Sequence, residues 1–478
     1  MTKSQEQAKV HKLYDLIGER RLYVNTSYDI FTRKPEEVAL VQGVGYKVPL
    51  INKNTKAYSS PLLFATLTSL LNNGTMFLTG SPGIGKTTIP EYLGHFMKGI
   101  SLDVILAAEI QGHPQQTEEK MIARYNLGKL VKDGEELVKI RKFLDSPVRI
   151  IDEVNRLPPD IVSILMKVTD TGKAIYGEEV LTAKPGPLFV TANYQDEGTF
   201  QLTPPFLDRF DVATMVTSPQ PWDLRKIRER GDEKMNGNLD ELLEIPQDLK
   251  LDFEKIRKEI KEINEDIEYG VPIVSAFSDF LYGQLRFSEA ASKNLARATK
   301  GNAWRINQDN AQPGHFIDSP FNYALNELSV RTSKAIPRYA KAYAWFTGKD
   351  KVELNDLKTI LPYLLWHKVQ PTAKALGEDQ IFENDRIAFI EDLVEKVETE
   401  YTDAAGSDAL KYYSATLNAL RTGKVENKNL NEDQLRNIVR ASLLKLSQVD
   451  KPYALTFASH IASEYNSINN GAKDDKRN

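Results

Sequence analysis

Cysteine is absent from this 478-residue chain. No disulfide, thiolate nucleophile or cysteine-ligated metal is available to it. With no disulfide framework calling for an oxidising compartment, the expected location is cytoplasmic. Histidine is scarce, six in all, and no pair has metal-ligand spacing with carboxylates, so no bound transition metal is expected. Long apolar runs are missing too. The densest, Leu62 to Leu71, is interrupted by Thr66, Thr68 and Ser69 and is about half of the roughly 20 residues a membrane span needs. The first residues, Met1-Thr2-Lys3-Ser4-Gln5, form no hydrophobic leader core. Nor is there an excess of charge of one sign: the formal net charge is -4, which gives no global pull toward nucleic acid or an anionic membrane. Internal repeats and low-complexity tracts are absent.

What remains is ordinary globular composition, 27% charged and 41% hydrophobic, over a length that suggests roughly two to three domains. Residues up to about 58 are mixed and polar, with a Gly43-Val44-Gly45-Tyr46 patch and a turn-like Asn52-Lys53-Asn54. Ser60-Pro61 then reads as a helix start, carried on by Leu63, Leu67, Leu70 and Leu71 and ended by Asn73-Gly74. Three strand-like runs follow: Thr75–Thr79, Val148–Ile151 and Leu188–Ala192. The first leads through a glycine-rich turn into a helix with Tyr92, Leu93 and Phe96. The second leads into a helix with Ile161, Ile164, Leu165 and Val168. Strands alternating with helices imply an α/β fold with a mostly parallel sheet. Thr171–Leu181 reads as a hairpin turning at Gly177. Beyond residue 220 the pattern is helical. Phe253, Ile256, Ile260, Ile263 and Ile267 predict one amphipathic helix with a coiled-coil-like seam. Ser329–Val369 predicts helices broken at Gly348-Lys349-Asp350. More amphipathic helices follow from about 380, and a polar, disordered tail is expected from Asn469 to Asn478.

Chemistry concentrates at the strand ends. Gly80-Ser81-Pro82-Gly83-Ile84-Gly85-Lys86-Thr87 is a full GxxxxGK[ST] match between a strand and a helix. Such a loop, with Thr88 opening the helix, converges backbone N–H groups on phosphate oxygens at a positive helix end. Lys86 would reach the β- and γ-phosphates of ATP and Thr87 would hold Mg²⁺. Pro90 falls late for a first turn and is expected to bend the helix. The second run ends in Asp152-Glu153, which suits Asp152 to the Mg²⁺ shell and Glu153 to the general base. Arg149 interrupts that run, as expected of a sheet-edge residue or one paired with a carboxylate. The third run ends in Asn193, where an amide could orient the attacking water.

The ordered set resembles AAA+ ATPases, and its details look like the MoxR family. The matching stretches are Gly80–Thr87, Glu109-Ile110-Gln111-Gly112, Asp152-Glu153-Val154-Asn155-Arg156-Leu157-Pro158-Pro159, Glu197-Gly198-Thr199 and Phe206-Leu207-Asp208-Arg209-Phe210. The resemblance covers roughly residues 60 to 372. It implies an AAA+ α/β nucleotide-binding core (59–220) and a helical arm and α-helical lid (221–372); the N-terminal extension (1–58) and the C-terminal helical region with its disordered tail (373–478) lie outside it. It also implies that Asn193 is sensor 1 and that Arg209 is an arginine finger acting in trans, unless Arg209 makes a local ion pair with Asp208. Arg331 falls at the sensor 2 position, with Arg338 two turns later as the alternative. Gln111-Gly112-His113-Pro114 is similar to the clade's helix-2 insertion and the Tyr176 hairpin to its pre-sensor hairpin. Each would face a pore or brace a subunit interface. The resemblance further implies a homo-oligomeric, hexameric ring with chaperone-like action on a client or a von Willebrand factor A domain partner. A nucleic-acid motor and a metal-chelatase motor subunit are the alternatives. The first is disfavoured by the negative charge and the absence of a zinc module. A GTPase is disfavoured because Asn193-Tyr194-Gln195-Asp196 matches a guanine-reading motif poorly, and a nucleotide-bound scaffold without turnover is disfavoured by the intact Asp152-Glu153 pair.

Overall fold

A computed structural model describes residues 4–19, 30–31, 37–40, 47–50, 57–134, 136–193, 199–218, 224–225, 228, 244–268, 271–285, 320–425, 428–449 and 452–474. The Gly43–Tyr46 patch, Asn52–Asn54, Tyr194–Asp196 and Glu197-Gly198 lie outside the described residues. The chain divides into two compact units, 1–263 with 338–350 and 264–337 with 351–478.

The first unit is built on five strands: β1 (Thr75–Thr79), β2 (Ile110–Gln111), β3 (Arg149–Asp152), β4 (Leu188–Ala192) and β5 (Val212–Met215). Their spatial order is β5-β1-β4-β3-β2 and every pairing is parallel. The near-continuous apolar runs of β1 and β4 explain their central places, because a parallel strand is covered on both faces. Met76 to Leu78 and all of β4 are buried. Among the described residues, the longer helices wholly within this unit are α1 (Gln5–Glu19), α2 (Ser60–Leu70), α3 (Thr88–Lys98), α4 (Pro159–Thr171) and α5 (Phe253–Glu262).

One expectation needs correction here, the single helix over the Phe253–Ile267 seam. Pro90 lies within α3. It is the third residue of a helix that runs on to Lys98, where its missing N–H falls among donors with no intrahelical partner. The seam from Phe253 to Ile267 is not one helix. Asp252 caps α5 by accepting from the N–H groups of Glu254 and Lys255, Ile256 and Ile260 are buried, and the backbone turns extended at Ile263. Ile267 sits in a two-residue strand and is 69% exposed. Helix α1 was not anticipated at all. It buries Val10, Leu13 and Ile17 completely, and His11 stacks on Phe346 at 4.5 Å.

The second unit is helical: α6 (Ile273–Leu285), the first part of α7 (Val330–Thr347), α8 (Leu354–Leu365), α9 (Arg386–Gly406), α10 (Ala409–Thr422), α11 (Glu432–Leu446) and α12 (Pro452–Asp474). Phe280, Tyr401, Tyr453 and Phe457 form its aromatic core. Helix α12 reaches Asp474, so the first part of the expected disordered tail is helical. Among the described residues no helix is long and apolar enough to cross a membrane.

Candidate nucleotide site

The strand order puts the carboxyl ends of β1, β4 and β3 side by side. The chain leaves β1 for the far edge strand β2 while β5 lies on its other side, which opens a crevice where strand connections diverge. The Gly80–Thr88 segment emerges there. Gly80 has φ 149°, and a Cβ on it would lie 2.3 Å from the Val216 carbonyl oxygen, so only glycine fits this approach.

Lys86 is buried inside its own loop. Its Nζ donates to the carbonyl oxygens of Gly80 (3.1 Å) and Ser81 (2.6 Å) and to Asn193 Oδ1 (2.6 Å). Burial pulls the ammonium below the usual lysine range, and the nearby Asp152 and Glu153 oppose that shift. Thr87 Oγ1 donates to Asp152 Oδ1 at 2.7 Å. Asn193 Nδ2 donates to Glu153 Oε1, and Arg156 Nε forms an ion pair with Glu153 Oε2 at 2.8 Å. Lys86, Thr87, Asp152, Glu153 and Asn193 thus meet in one polar cluster drawn from three strand ends.

Residues not assigned from the sequence complete the cluster. Register places Gln111 opposite Asp152, and its Nε2 donates to Asp152 Oδ2 at 3.1 Å. Thr191, fully buried on β4, donates to Asp152 Oδ1 and accepts from the Glu153 N–H at 3.0 Å. Gly112 donates its N–H to the Asp152 carbonyl at 2.7 Å, and a Cβ on it would sit 2.0 Å from the Glu153 carbonyl oxygen. Beside them, burial and the carboxylates of Glu91 and Asp152 push the Glu109 carboxyl up to about 8.

Other candidates lie elsewhere. Thr75 Oγ1 donates to the Arg209 carbonyl at 3.1 Å, which puts Arg209 at the amino end of β1, opposite Lys86. Its guanidinium pairs with Asp170 on α4 at 3.1 Å. Arg338 is held at the same amino end, by the Asn72 carbonyl at 2.8 Å and Asp211 at 3.5 Å. Arg331 is an exposed residue in the first turn of α7, in the second unit. Arg149 corrects another expectation. It lies on β3, interior to the sheet, and donates to the Gly186 carbonyl at 2.9 Å.

The Tyr176 hairpin forms as expected, Lys173–Tyr176 against Glu179–Thr182 with Gly177 at φ 57°. The stretch read as similar to the insertion starts at the central sheet and runs on into a hairpin. Ile110–Gln111 joins the central sheet, and the hairpin of this stretch is Ala123–Tyr125 with Val138–Ile140. The two hairpins meet where the Tyr125 and Tyr176 rings lie 5.2 Å apart.

Comparison with known proteins agrees with this layout. Residues 75–210 match the AAA domain of the dynein-related subfamily, and residues 324–387 match an AAA lid domain. Protein MoxR of Methylorubrum extorquens is 22% identical over 334 residues, covering 69% of this chain and 86% of that relative. The chain thus carries an AAA domain and an AAA lid, and it is similar to MoxR proteins. A solved structure from Cytophaga hutchinsonii, described as a candidate ATPase, shares the fold, with TM-score 0.52 and 20% identity over 79% of this chain and 93% of that one. The AAA core is followed by a helical lid and further C-terminal helices. Within that core, the sequence offers one signal for Thr191, its face, though not its contacts. It stands two residues before Asn193, and strand periodicity turns both side chains to one face.

Proposed function

We propose that this chain hydrolyses ATP with Mg²⁺ and couples turnover to remodelling of a partner protein. The observation that carries the reading is the continuous chain of contacts Lys86–Asn193–Glu153–Arg156, with Thr87 on Asp152 beside it. The residues suit Mg²⁺–ATP. An ammonium hydrogen-bonded to carbonyl and amide oxygens is the natural counter-charge for phosphate. Thr87 and Asp152 are a hard-oxygen pair of the kind Mg²⁺ takes. Mg²⁺, when bound, neutralises charge on the phosphate oxygens. The loop N–H groups of Gly80–Thr88 and the amino end of α3 bind the phosphates, Glu153 takes the proton of the attacking water and Asn193 orients that water. Acting as base requires the Glu153 carboxylate to leave Arg156. Resemblance and the MoxR relative support a partner protein as the substrate of the motion, including a von Willebrand factor A domain partner, and a ring, hexameric by the same resemblance, in which Arg209 serves a neighbouring site.

Phosphate release and nucleotide titration test the chemistry. Lys86→Ala should lose ATP binding, while Glu153→Gln should bind ATP and stop turnover. Hydrolysis undiminished in Glu153→Gln overturns the assignment of the base. Stimulation of turnover by DNA, falling with salt, would replace the protein partner by nucleic acid. Capture on Glu153→Gln, read by mass spectrometry, identifies the client.

A further inference from the structure

Thr191 contacts no group assigned to the phosphates, yet its hydroxyl is committed twice. It donates its single hydrogen to Asp152 Oδ1 and accepts the backbone N–H of Glu153. We propose that Thr191 is a positioning residue that sets both acids of the site at once, Asp152 through its side chain and Glu153 through its main chain. This rests on the ATP-hydrolysis reading.

Three features support it. First, Thr191 is completely buried in the central strand β4. A β-branched residue there has little rotational freedom, so the hydroxyl is held where it stands. Second, Glu153 has φ 51°, left-handed and unfavourable for a residue with a Cβ. That turn sends the Glu153 carboxylate toward Asn193 and Arg156, and the Thr191 bond to its N–H holds the backbone in it. Third, Asp152 Oδ1 accepts from both Thr87 and Thr191, while Oδ2 accepts from Gln111. A cation held by a Thr87 lone pair would leave the Thr87 hydrogen on Oδ1, so Thr191 and Thr87 would hold that oxygen together, with Gln111 on the other. A hydroxyl has one hydrogen and two lone pairs, so these two bonds use the donor and one acceptor position.

The experiment compares Thr191→Val, close in shape but without the hydroxyl, with Thr191→Ser, which keeps it. Three quantities are read: binding of a fluorescent ATP analogue in EDTA, kcat for phosphate release, and the Mg²⁺ concentration for half-maximal rate. Thr191→Val should bind nucleotide in EDTA within about twofold of the parent. Its kcat should fall about 10- to 100-fold, the scale of a lost hydrogen bond to a charged group, and its half-maximal Mg²⁺ should rise several-fold. Thr191→Ser should recover most of both. A Thr191→Val protein with parental kcat and Mg²⁺ dependence overturns the proposal. So does one that loses EDTA binding along with activity and is not rescued by serine, since that marks a packing role only. Failure of the underlying reading has a different signature: a parent protein without turnover, or one unaffected by Glu153→Gln, which removes the proposal with it.

Discussion

Glu109 links the nucleotide site to pH. Burial, with Glu91 and Asp152 nearby, holds its carboxyl protonated up to about 8, against an ordinary value of 4.5. Between those values the folded chain binds more protons than the unfolded chain at this position, so its contribution to stability falls as pH rises. The contribution is complete below the ordinary value and is lost as pH climbs through about 8. Glu109→Gln, which cannot ionise, should therefore gain thermal stability over the parent at alkaline pH and not at acid pH, with nucleotide and divalent cations absent. Calorimetric midpoints across the range check this, and an offset that does not change with pH sinks it. At this scale the sequence exposes what it names by type and spacing. Lys86, Thr87, Asp152, Glu153 and Asn193 each end a strand or fill the loop after one, and each can be picked out alone. Gln111, Thr191 and Arg156 earn their contacts from strand order and from the left-handed turn at Glu153, neither of which is written in a local pattern.

The elements give two further tests. Gly80→Ala forces a Cβ to within 2.3 Å of the Val216 carbonyl at a φ of 149°, so the loop must move. Strain of this kind costs about 1–3 kcal/mol, and ATP binding should weaken by about tenfold or more in a nucleotide titration. Parental affinity in this variant would show that the loop relaxes without penalty. Leu13→Ala in α1 removes a fully buried side chain and should cost about 2–5 kcal/mol, read as a lower urea midpoint. A change within error would mean that α1 is not part of the core. The local patterns served strands and loop-anchored helices well, because β1 and β4 are runs that only a doubly covered strand can bury. They failed at α1, whose stripe of Val10, Leu13, Tyr14 and Ile17 has helical spacing but stands in a polar segment. They failed in the opposite sense at Ile263 and Ile267, where the three- and four-residue spacing continues past the point at which the backbone turns extended.

For the whole molecule, alternation of strands and helices followed by helices alone was enough to read an α/β core and a helical part after it, and the resemblance named that part a lid, while the hairpin at Ala123–Ile140 and the division into two units depend on contacts far apart in sequence. The position of Arg209 then becomes a prediction about assembly. It lies at the amino end of β1 and Lys86 beyond the carboxyl end. The five residues of β1 at about 3.3 Å each separate the two by roughly 16 Å of strand. Arg209 therefore cannot serve the Lys86 site of its own chain without a large rearrangement, whereas a head-to-tail neighbour can present it. Its guanidinium is held by Asp170 and by the Pro205 carbonyl, and serving a neighbour requires it to leave both. Arg209→Ala and Lys86→Ala chains should each be inactive alone. Mixed in equal amounts, an Arg209→Ala chain with an intact phosphate loop meets a Lys86→Ala neighbour that still offers Arg209. Random head-to-tail mixing gives about one productive site in four, hence about a quarter of parental phosphate release. Co-purified mixed oligomers that recover nothing would show that Arg209 does not act across the subunit boundary, and its pairing with Asp170 would then be its structural role.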